Sequence, residues 1–520
     1  MLHWDADWRP NAARRLPSLE QRLSTHYRTP RGMDFNRNIG PRRPFFFGPD
    51  QTQSSGSRTV NPPHIVIVGA GFGGLEAAKA LARTPAAVTI IDRQNHHCFQ
   101  PLLYQVATAA LSPADIAWPV RSILSRQSNA RVVMAEVSGI DLSARQVITN
   151  SMPPLPYDFL VLATGAMHSY FGHDEWAPFA PGLKRVEDAT EIRRRLLIAF
   201  EKAEVAIDAR ERQDLLSFVI VGGGPTGIEL AGAAAEIARY ALVRDFRCID
   251  PRASRIVLVE AGPRILPALP EALSAYAQSS LERMGVTVRT STMVTACDEK
   301  GVVVATGERI PALTVIWAAG VKASPAAAWI KADCDRAGHI KVNPDLSIPD
   351  QPNVFAIGDT ATVFWNERTV PGIAPAAKQM GRYVGQLVAR RIAGRAEPRA
   401  FNYRHYGDLA TIGRKSAVVS IGRLRLKGWI AWVFWSVAHI YFLIGARNRL
   451  SVAFDWLWDY LTFQRGARLI IQAPNSTAAV ERRGGGHVIE TASTPATSPV
   501  DLSRKREVKS RRIPRKREPL

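Results

Sequence analysis

The chain has 520 residues, which is too long for one ordinary domain, so two or three domains are expected. Its hydrophobic content of 46% is typical of a globular protein with buried cores. The four cysteines are scattered without a C-x-x-C pair, which argues against a disulfide framework and a metal cluster and indicates a reducing compartment.

About half of the formal net charge of +21 lies in residues 1–60 and 473–520, two segments rich in arginine, proline and serine. We predict that both are disordered extensions, and no secretory signal is visible in the first of them. Because the basic tail lacks interleaved aromatic residues and a nucleic-acid-binding motif, no nucleic acid partner is expected.

The first predicted element is a buried parallel strand over residues 64–69, with the sequence HIVIVG. It enters the glycine turn GAGFGG of residues 69–74, a helical pattern follows, and a second strand over residues 88–92 ends in Asp92. This order is that of a dinucleotide-binding unit, whose turn approaches a pyrophosphate and whose acid accepts a ribose hydroxyl. The glycines with this role are Gly69, Gly71 and Gly74.

The same pattern returns in residues 216–232, LSFVIVGGGPTGIELAG, and the next strand ends in Glu260. A carboxylate at that position would repel a 2′-phosphate, so Glu260 favours NADH over NADPH. Two fingerprints, each in a strand-turn-helix context, are far more specific than one. The second set of glycines is Gly222, Gly224 and Gly227.

Three later segments indicate which nucleotide each site binds. Two of them are strands that enter small-residue turns at Gly165 and Gly320, and the third is a strand followed by Asp359. The Asp359 carboxylate is placed to bond the ribityl chain of a flavin. Together the segments resemble the two-dinucleotide flavoprotein reductases, which implies FAD at the first fingerprint and a nicotinamide cofactor at the second.

We therefore predict an α/β fold with two Rossmann-like dinucleotide-binding domains, the NADH domain being inserted into the FAD domain. The FAD domain comprises residues 61–180 and 330–400, and the NADH domain comprises residues 181–329. Residues 401–472 are predicted to form a C-terminal membrane-association region of amphipathic helices.

Many flavoproteins share this frame, so the function must come from the site. No redox cysteine pair is available beside the flavin, which excludes the disulfide reductases and argues against a sulfide:quinone oxidoreductase. The stretch after Asp92, RQNHHCFQPLLYQVATAALSPADIAWPVRSIL, closely resembles the type II NADH:quinone dehydrogenases, single-subunit respiratory enzymes that pump no protons. The resemblance covers residues 61–472 and includes ATGA, VGGGPTGIELAG, LVEAGPRILP, FAIGD, VPGIAPAAKQMGRYV and LIGARNRLSVAFDWLWDYLTFQRGARLI.

The resemblance implies that NADH passes a hydride to FAD and that a membrane quinone then takes two electrons and two protons. It also implies a peripheral protein on the cytoplasmic face of the inner membrane, in a family that often dimerises through its C-terminal region. The FAD positions are Gly69, Gly71, Phe72, Gly73, Gly74, Asp92, Arg93, Gly165, Asp359, Ala377, Lys378 and Gln379. The NADH positions are Gly222, Gly224, Gly227, Glu229, Glu260 and Gly320.

The resemblance further implies two catalytic residues. Glu229 would face the nicotinamide and the flavin, although it could instead be a first-turn helix acid favoured by the helix dipole. Gln379 matches the last position of the family's A-Q-x-A-x-Q quinone motif, while Pro375 replaces its first glutamine; Gln379 could also be an ordinary helix-surface residue. The quinone positions are Pro375, Lys378 and Gln379, and no metal ligands are expected.

Residues 428–444 are the most apolar run of the chain and are either a membrane span or a surface helix. At about 1.5 Å per residue the run reaches roughly 25 Å, less than the ~30 Å hydrocarbon core. Its positive flanks are balanced, and its tryptophans suit a membrane interface. The next segment carries one polar stripe, so the sequence predicts an amphipathic helix that lies on the membrane. The stripe consists of Ser451, Asp455, Asp459 and Thr462.

Alternatives stay open at this point. The C-terminal helices could span the membrane, or pack on their own domain or a second subunit. A reductase with a ferredoxin-like acceptor should lack the hydrophobic C-terminal segment, which is present. A non-catalytic redox-sensing flavoprotein should lose glycine-turn or GD residues, and none is lost.

Overall fold

The computed structural model describes residues 61–365, 368–462 and 466–470, so the predicted disordered extensions lie outside the described residues. The helices of this part are α1 Phe72–Ala80, α2 Leu103–Ala107, α3 Pro113–Ile116, α4 Val120–Ile123, α5 Val186–Val205, α6 Ala209–Leu215, α7 Pro225–Glu236, α8 Glu271–Arg283, α9 Ala326–Ile330, α10 Ala374–Ile392, α11 Gly428–Phe442 and α12 Ala446–Thr462.

The strands of the same part are β1 His64–Val68, β2 Ala87–Asp92, β3 His96–Cys98, β4 Ala117–Pro119, β5 Ala130–Met134, β6 Val137–Asp141, β7 Gln146–Thr149, β8 Leu155–Pro156, β9 Phe159–Leu162, β10 Ala166–His168, β11 Ser217–Val221, β12 Arg255–Val259, β13 Val286–Arg289, β14 Val294–Asp298, β15 Gly301–Val304, β16 Arg309–Pro311, β17 Thr314–Trp317, β18 Val321–Ala323, β19 Ile340–Lys341, β20 Ser347–Ile348, β21 Gln351–Ala356, β22 Ala361–Thr362, β23 Phe364–Trp365, β24 Arg368–Thr369, β25 Asp408–Gly413, β26 Ser416–Ile421 and β27 Leu424–Lys427.

A six-stranded sheet in the order β20-β21-β9-β1-β2-β5 carries the first glycine turn. Its strands run parallel except β20, which pairs antiparallel with β21. They are short β-branched runs because apolar clusters cover both faces of the sheet. β9 and β21 are neighbours in this sheet although residues 163–350 separate them, so a second unit is inserted between them.

That second unit contains a parallel four-stranded sheet in the order β13-β12-β11-β17. One face of the sheet packs on helices that include α5, α7 and α8, and the other packs on the antiparallel sheet β14-β15-β16. The ribbon of β10 and β18, with Ala166 opposite Ala323 and His168 opposite Val321, carries the chain between the two units. The predicted α/β fold with two nested Rossmann-like sheets is confirmed.

α10 crosses α1 closely because two of its residues lack side chains. A Cβ at Gly381 would overlap the carbonyl oxygen of Gly73, and a Cβ at Gly385 would lie 2.7 Å from the carbonyl oxygen of Ala77. The start of α10 is therefore held beside the glycine turn that precedes α1.

The antiparallel sheet β25-β26-β27 was not part of the expectation for residues 401–472, which was a set of membrane helices only. This sheet packs on α7, where Gly232 allows the contact because a Cβ there would overlap the carbonyl oxygen of Ile412. The C-terminal region therefore begins as part of the protein's own core.

α11 has 15 residues and ends at Phe442, two residues before the end of the apolar run, because Leu443 adopts an extended conformation and Gly445 has φ +89°. At about 1.5 Å per residue it is roughly 22 Å long. Among the described residues, none of the helices combines the length and the hydropathy needed to cross a membrane.

α12 turns its polar stripe towards the protein and much of its apolar side outward. Ser451 Oγ donates to Asp115 Oδ1 at 3.1 Å, and Asp459 lines a partly open cavity. Two apolar residues of α12 also face the protein: Val452 is buried, and Trp456 Nε1 donates to Gln105 Oε1. The exposed residues of both helices form what we call the C-terminal apolar surface: Trp429, Ile430, Phe434, Val437, Tyr441, Phe442, Leu450, Phe454, Leu457, Trp458 and Leu461.

Candidate functional site

The first glycine turn is closed on one side and open on the other. Gly69 has φ +105°, and a Cβ there would overlap the carbonyl oxygen of Ala163. A Cβ at Gly74 would overlap the carbonyl oxygen of Gly69, whereas a Cβ at Gly71 would have no atom within 4 Å. Gly71 also caps α1 without a side-chain hydrogen bond, so the N–H groups at the helix start are available to a pyrophosphate.

The second glycine turn repeats this geometry position by position. Gly222 has φ +114°, and a Cβ there would lie 2.5 Å from the carbonyl oxygen of Ala318. A Cβ at Gly227 would overlap the carbonyl oxygen of Gly222, while Gly224 has open space and caps α7 without a side-chain hydrogen bond. Two similar anion-binding cradles therefore lie at the carboxyl ends of the two sheets.

The acids at the ends of β2 and β12 each hold their own glycine turn. Asp92 Oδ2 accepts from the Ala70 N–H at 2.7 Å, and Glu260 Oε2 accepts from the Gly223 N–H at 2.5 Å. The other oxygen of each carboxylate accepts a further backbone N–H, and each oxygen keeps a second lone pair that a ribose hydroxyl can use. The side chain of Arg93, which follows Asp92 in the sequence, is exposed.

The turns at Gly165 and Asp359 meet through a residue that sequence reasoning missed. The Gly165 N–H donates to Thr360 Oγ1 at 3.0 Å, and Thr164 Oγ1 lies 3.1 Å from the same hydroxyl oxygen. Gly358, with φ +64°, donates its N–H to Met380 Sδ of α10 at 3.1 Å. The letters GDT place Thr360 directly after Asp359, but its partner Gly165 lies 195 residues away, so no local signal in the sequence indicated the contact.

Glu229 is the fifth residue of α7, so it is not the first-turn acid that was considered as an alternative. Burial raises the pKa of its carboxyl to about 8, and a 3.5 Å contact from the Thr411 N–H only partly opposes this shift. The carboxyl is therefore largely protonated at neutral pH.

A cavity of about 80 Å³ opens beside the Glu229 carboxyl. Its wall combines acids of α7, residues of β25 and aromatic residues of α11 and α12, which lie far apart in sequence. A space of this size holds several water molecules. The residues that sequence reasoning missed here include Tyr104, Gln105, Glu236, Thr411, Trp432, Trp435 and Trp456.

The start of α10 presents Pro375, Lys378 and Gln379, all half-buried. Gln379 Oε1 accepts from the Arg404 N–H and its Nε2 donates to the Arg404 carbonyl, both at 2.9 Å. The Gln379 amide is therefore clamped to the backbone of Arg404, and each polar atom keeps one further hydrogen-bonding position.

Lys378 lies between two aromatic rings from different parts of the chain. Its Nζ is 5.4 Å from the ring centre of Phe72, at the start of α1, and 5.3 Å from that of Phe442, at the end of α11. Burial lowers the pKa of its ammonium group. Within residues 61–470 as far as they are described, no carboxylate forms an ion pair with Lys378.

His97 packs behind the first glycine turn. Its Nδ1–H donates to the carbonyl oxygen of Ala70 at 3.0 Å, and its ring meets Phe72 edge-on at 4.8 Å. Burial lowers the pKa of His97 to about 4, so the imidazole is neutral. It supports the turn that holds Phe72 in place.

The family model for pyridine nucleotide-disulphide oxidoreductases matches residues 63–381, and the model for the NDH2 C-terminal domain matches residues 405–465. The "Type II NADH:quinone oxidoreductase NdhA" of Mycobacterium tuberculosis is 44% identical over 448 residues, covering 80% of this chain and 94% of that protein. The chain belongs to the type II NADH:quinone oxidoreductases.

Further relatives agree with this membership. The "Type II NADH:quinone oxidoreductase Ndh" of the same organism is 42% identical over 424 residues, covering 78% of this chain and 91% of that protein. The structure of NDH2 from Plasmodium falciparum in complex with NADH matches with a TM-score of 0.71 at 20% identity, covering 79% of this chain and all of that one. At that identity the structural match supports the fold alone.

Membership makes the protein an FAD-dependent NADH dehydrogenase with FAD and NADH as cofactors. The residues present fit both groups, because each glycine turn keeps open space in front of an uncapped helix start. The four cysteines, Cys98, Cys248, Cys297 and Cys334, are free thiols in the structure.

Exchanging the open glycine of each turn tests which nucleotide each turn binds. We expect Gly71→Val to abolish FAD retention during purification, because the side chain would occupy the pyrophosphate's place. Gly224→Val should keep FAD but weaken NADH binding about tenfold or more, since one lost charge-assisted hydrogen bond costs roughly 1.5–3 kcal/mol. Flavin absorbance per protein and the NADH dependence of flavin reduction report the two effects.

Gly139→Val on β6 is a matched control, because a Cβ there has only a distant contact with Ile148 at 3.8 Å. It should leave FAD content and NADH binding unchanged. The reverse pattern, with flavin lost in Gly224→Val and retained in Gly71→Val, would exchange the two assignments.

Proposed function

We propose that this protein transfers electrons from NADH through FAD to a membrane quinone, without pumping protons. When bound, FAD would supply two-electron redox chemistry between NADH and the second substrate. The glycine turns hold the two pyrophosphates, with Asp92 and Glu260 beside the riboses. The protonated Glu229 carboxyl holds a proton beside the cavity that α7 shares with α11 and α12.

The same proposal divides the chain into an FAD part, an NADH part and a part that binds the membrane. Residues 61–180 and 330–400 form the FAD part, residues 181–329 form the NADH part, and residues 401–472 bring the site to the membrane. The two nested parallel sheets support this division, since each ends in one glycine turn.

The position of Lys378 carries the proposal that the acceptor is a quinone. The Phe72 ring belongs to the helix that follows the flavin turn, and Phe442 is 43% exposed on the C-terminal apolar surface. Lys378 therefore lies between the C-terminal apolar surface and the glycine turn proposed to bind FAD. An apolar quinone that entered from this surface would pass Lys378 on its way to the flavin. The Lys378 ammonium would stabilise negative charge on the reduced quinone oxygen.

The C-terminal apolar surface supports a site on the bilayer. Exposed cations lie at both ends of α11, among them Lys427 and Arg447, where they can meet anionic headgroups. An exposed apolar area of this extent is typical of an interaction surface rather than of free solvent contact. We place it on the cytoplasmic face of the inner membrane; a second copy of the chain is the alternative occupant.

Replacing Gln379 tests the quinone site. We expect Gln379→Ala to slow reoxidation of the reduced flavin by quinone by up to about thirtyfold, because releasing two hydrogen bonds of roughly 1 kcal/mol each frees the loop at Arg404. The rate of flavin reduction by NADH should stay unchanged. Stopped-flow absorbance of the flavin measures the two half-reactions separately.

Arg404→Ala is the matched control, since the Gln379 clamp uses only the backbone of Arg404 and its side chain is exposed. It should leave both half-reactions near their wild-type rates. A Gln379→Ala protein that slows NADH reduction, or slows neither step, would remove Gln379 from the quinone site.

A further inference from the structure

Phe171 is an exposed aromatic residue held in a conformation that a phenylalanine seldom adopts. Its side chain is 68% exposed, and its backbone has φ +53°, in the left-handed region. Non-glycine residues persist in that region when the surrounding structure enforces it, and they concentrate at functional sites. Neither the exposure nor the strain is explained by packing in the core.

The segment around Phe171 is anchored on both sides of the ring. Trp317 Nε1 donates to the carbonyl oxygen of Ser169 at 2.8 Å, and the Ser169 N–H donates to the carbonyl oxygen of Gly320 at 3.2 Å. On the other side, Lys322 Nζ lies 3.4 Å from a carboxylate oxygen of Asp174. The backbone is therefore fixed while the Phe171 ring projects from it.

The ring lies against Gly320, one of the predicted NADH positions. A Cβ built on Gly320 would lie 2.6 Å from Phe171 Cζ and 3.2 Å from Cε2. The ring centre of Trp317, at the end of β17, is 6.4 Å from that of Phe171. Only a glycine at position 320 leaves room for the ring in this place.

The order of the strands indicates which half of NADH passes this ring. β11, which leads into the second glycine turn, lies between β12 and β17. The acid for the adenosine ribose, Glu260, follows β12, whereas Gly320 follows β17 on the opposite side. A dinucleotide whose pyrophosphate lies at the turn therefore extends its nicotinamide half towards β17.

The ribbon between the two nucleotide sites leads to the same conclusion. β10 and β18 run from Gly165, beside the first glycine turn, to Phe171 and Gly320 at the other end. A nicotinamide that extends from its own turn towards the flavin has to pass along this ribbon.

We propose that Phe171 is a positioning residue for NADH, whose exposed ring forms an aromatic wall against the nicotinamide half of the dinucleotide. This inference rests on the proposed placement of NADH at the second glycine turn. The ring contributes affinity through apolar and aromatic contact and limits where the nicotinamide can lie, and it takes no part in the transfer of hydride.

The test compares NADH with ADP-ribose, which lacks the nicotinamide, on FAD-loaded Phe171→Ala. We expect the apparent dissociation constant of NADH, from the concentration dependence of flavin reduction, to rise about three- to tenfold. The inhibition constant of ADP-ribose should stay within about twofold of wild type. Phe171→Tyr should restore NADH affinity, because it keeps the ring.

Phe364→Ala is the matched control, since Phe364 is 71% exposed and lies on β23, which pairs with β24 and not with the strands of the second sheet. It should leave both constants unchanged. Equal weakening of NADH and ADP-ribose, or no weakening of either, would overturn the inference. Bleaching of the wild-type flavin by NADH tests the proposed function independently, so failure of the two ideas can be told apart.

Discussion

Glu229→Gln is expected to lower NADH:quinone turnover about 100-fold, the lower end of the contribution that a positioned acid or base makes. The Glu229 carboxyl has a pKa raised to about 8 by burial, so it carries a transferable proton at neutral pH beside the cavity. Glutamine keeps the shape and the burial of the side chain but cannot release a proton.

The pH dependence of turnover provides a second test of the role of Glu229. An acid with a pKa of about 8 is protonated below that pH, so wild-type turnover should be high below pH 8 and fall above it. Glu229→Gln should lack that alkaline limb. Turnover measured from pH 5.5 to 9.5 checks this, with Glu282→Gln on the exposed side of α8 as control. If turnover of Glu229→Gln still fell above pH 8, the titrating group would be another residue.

The same raised pKa affects stability. Between the ordinary carboxyl value of 4.5 and about 8, the unfolded chain ionises while the folded protein keeps the proton. The stability that this group contributes is therefore lost as the pH rises through that window. Relative to wild type, Glu229→Gln should raise the melting temperature at pH 8 more than at pH 5. The melting transition itself would show that the variant is folded.

Placing two charges on the C-terminal apolar surface should release the protein from membranes. Leu457 and Leu461 are 56% and 67% exposed on α12. Burial of one such side chain contributes about 1.5–3 kcal/mol, so the double variant Leu457→Glu and Leu461→Glu should bind anionic vesicles at least about 100-fold more weakly. Co-flotation with vesicles measures the loss.

Turnover with two quinones distinguishes loss of membrane binding from loss of catalytic activity. The double variant should keep its activity with a water-soluble quinone and lose most of it with a long-chain quinone in vesicles. Ile207→Glu, at a 96% exposed apolar residue between α5 and α6, should bind vesicles as wild type does. If the double variant instead turned a dimer into monomers with vesicle binding intact, a second copy would cover this surface.

The two nucleotide turns could be predicted from the sequence because their geometry is local. A glycine is required where φ is positive, as at Gly69 and Gly222, and where a Cβ would overlap a neighbouring carbonyl. Asp92 and Glu260, the acids that hydrogen-bond these turns, lie within about forty residues of them in the sequence. Each pattern is therefore contained in one short segment of the chain.

The surroundings of Glu229 could not be predicted because they depend on distant pairings. Thr411, which contacts the carboxyl, lies on a sheet that no motif indicated, and the sheet packs on α7 because Gly232 permits it. The contact between Lys378 and Phe442 likewise joins α10 to the end of α11. Periodicity correctly indicated that α12 has two faces, but not that its polar face turns inward, because that depends on Asp115 and the cavity.

The most direct test of electron transfer from NADH to a quinone is an anaerobic experiment on the FAD-loaded protein in vesicles. NADH should bleach the flavin absorbance, and a long-chain quinone in the same membrane should restore it within the time of one turnover. A flavin that NADH bleaches but quinone does not reoxidise would contradict the proposed acceptor, and a flavin that NADH leaves oxidised would contradict the account as a whole.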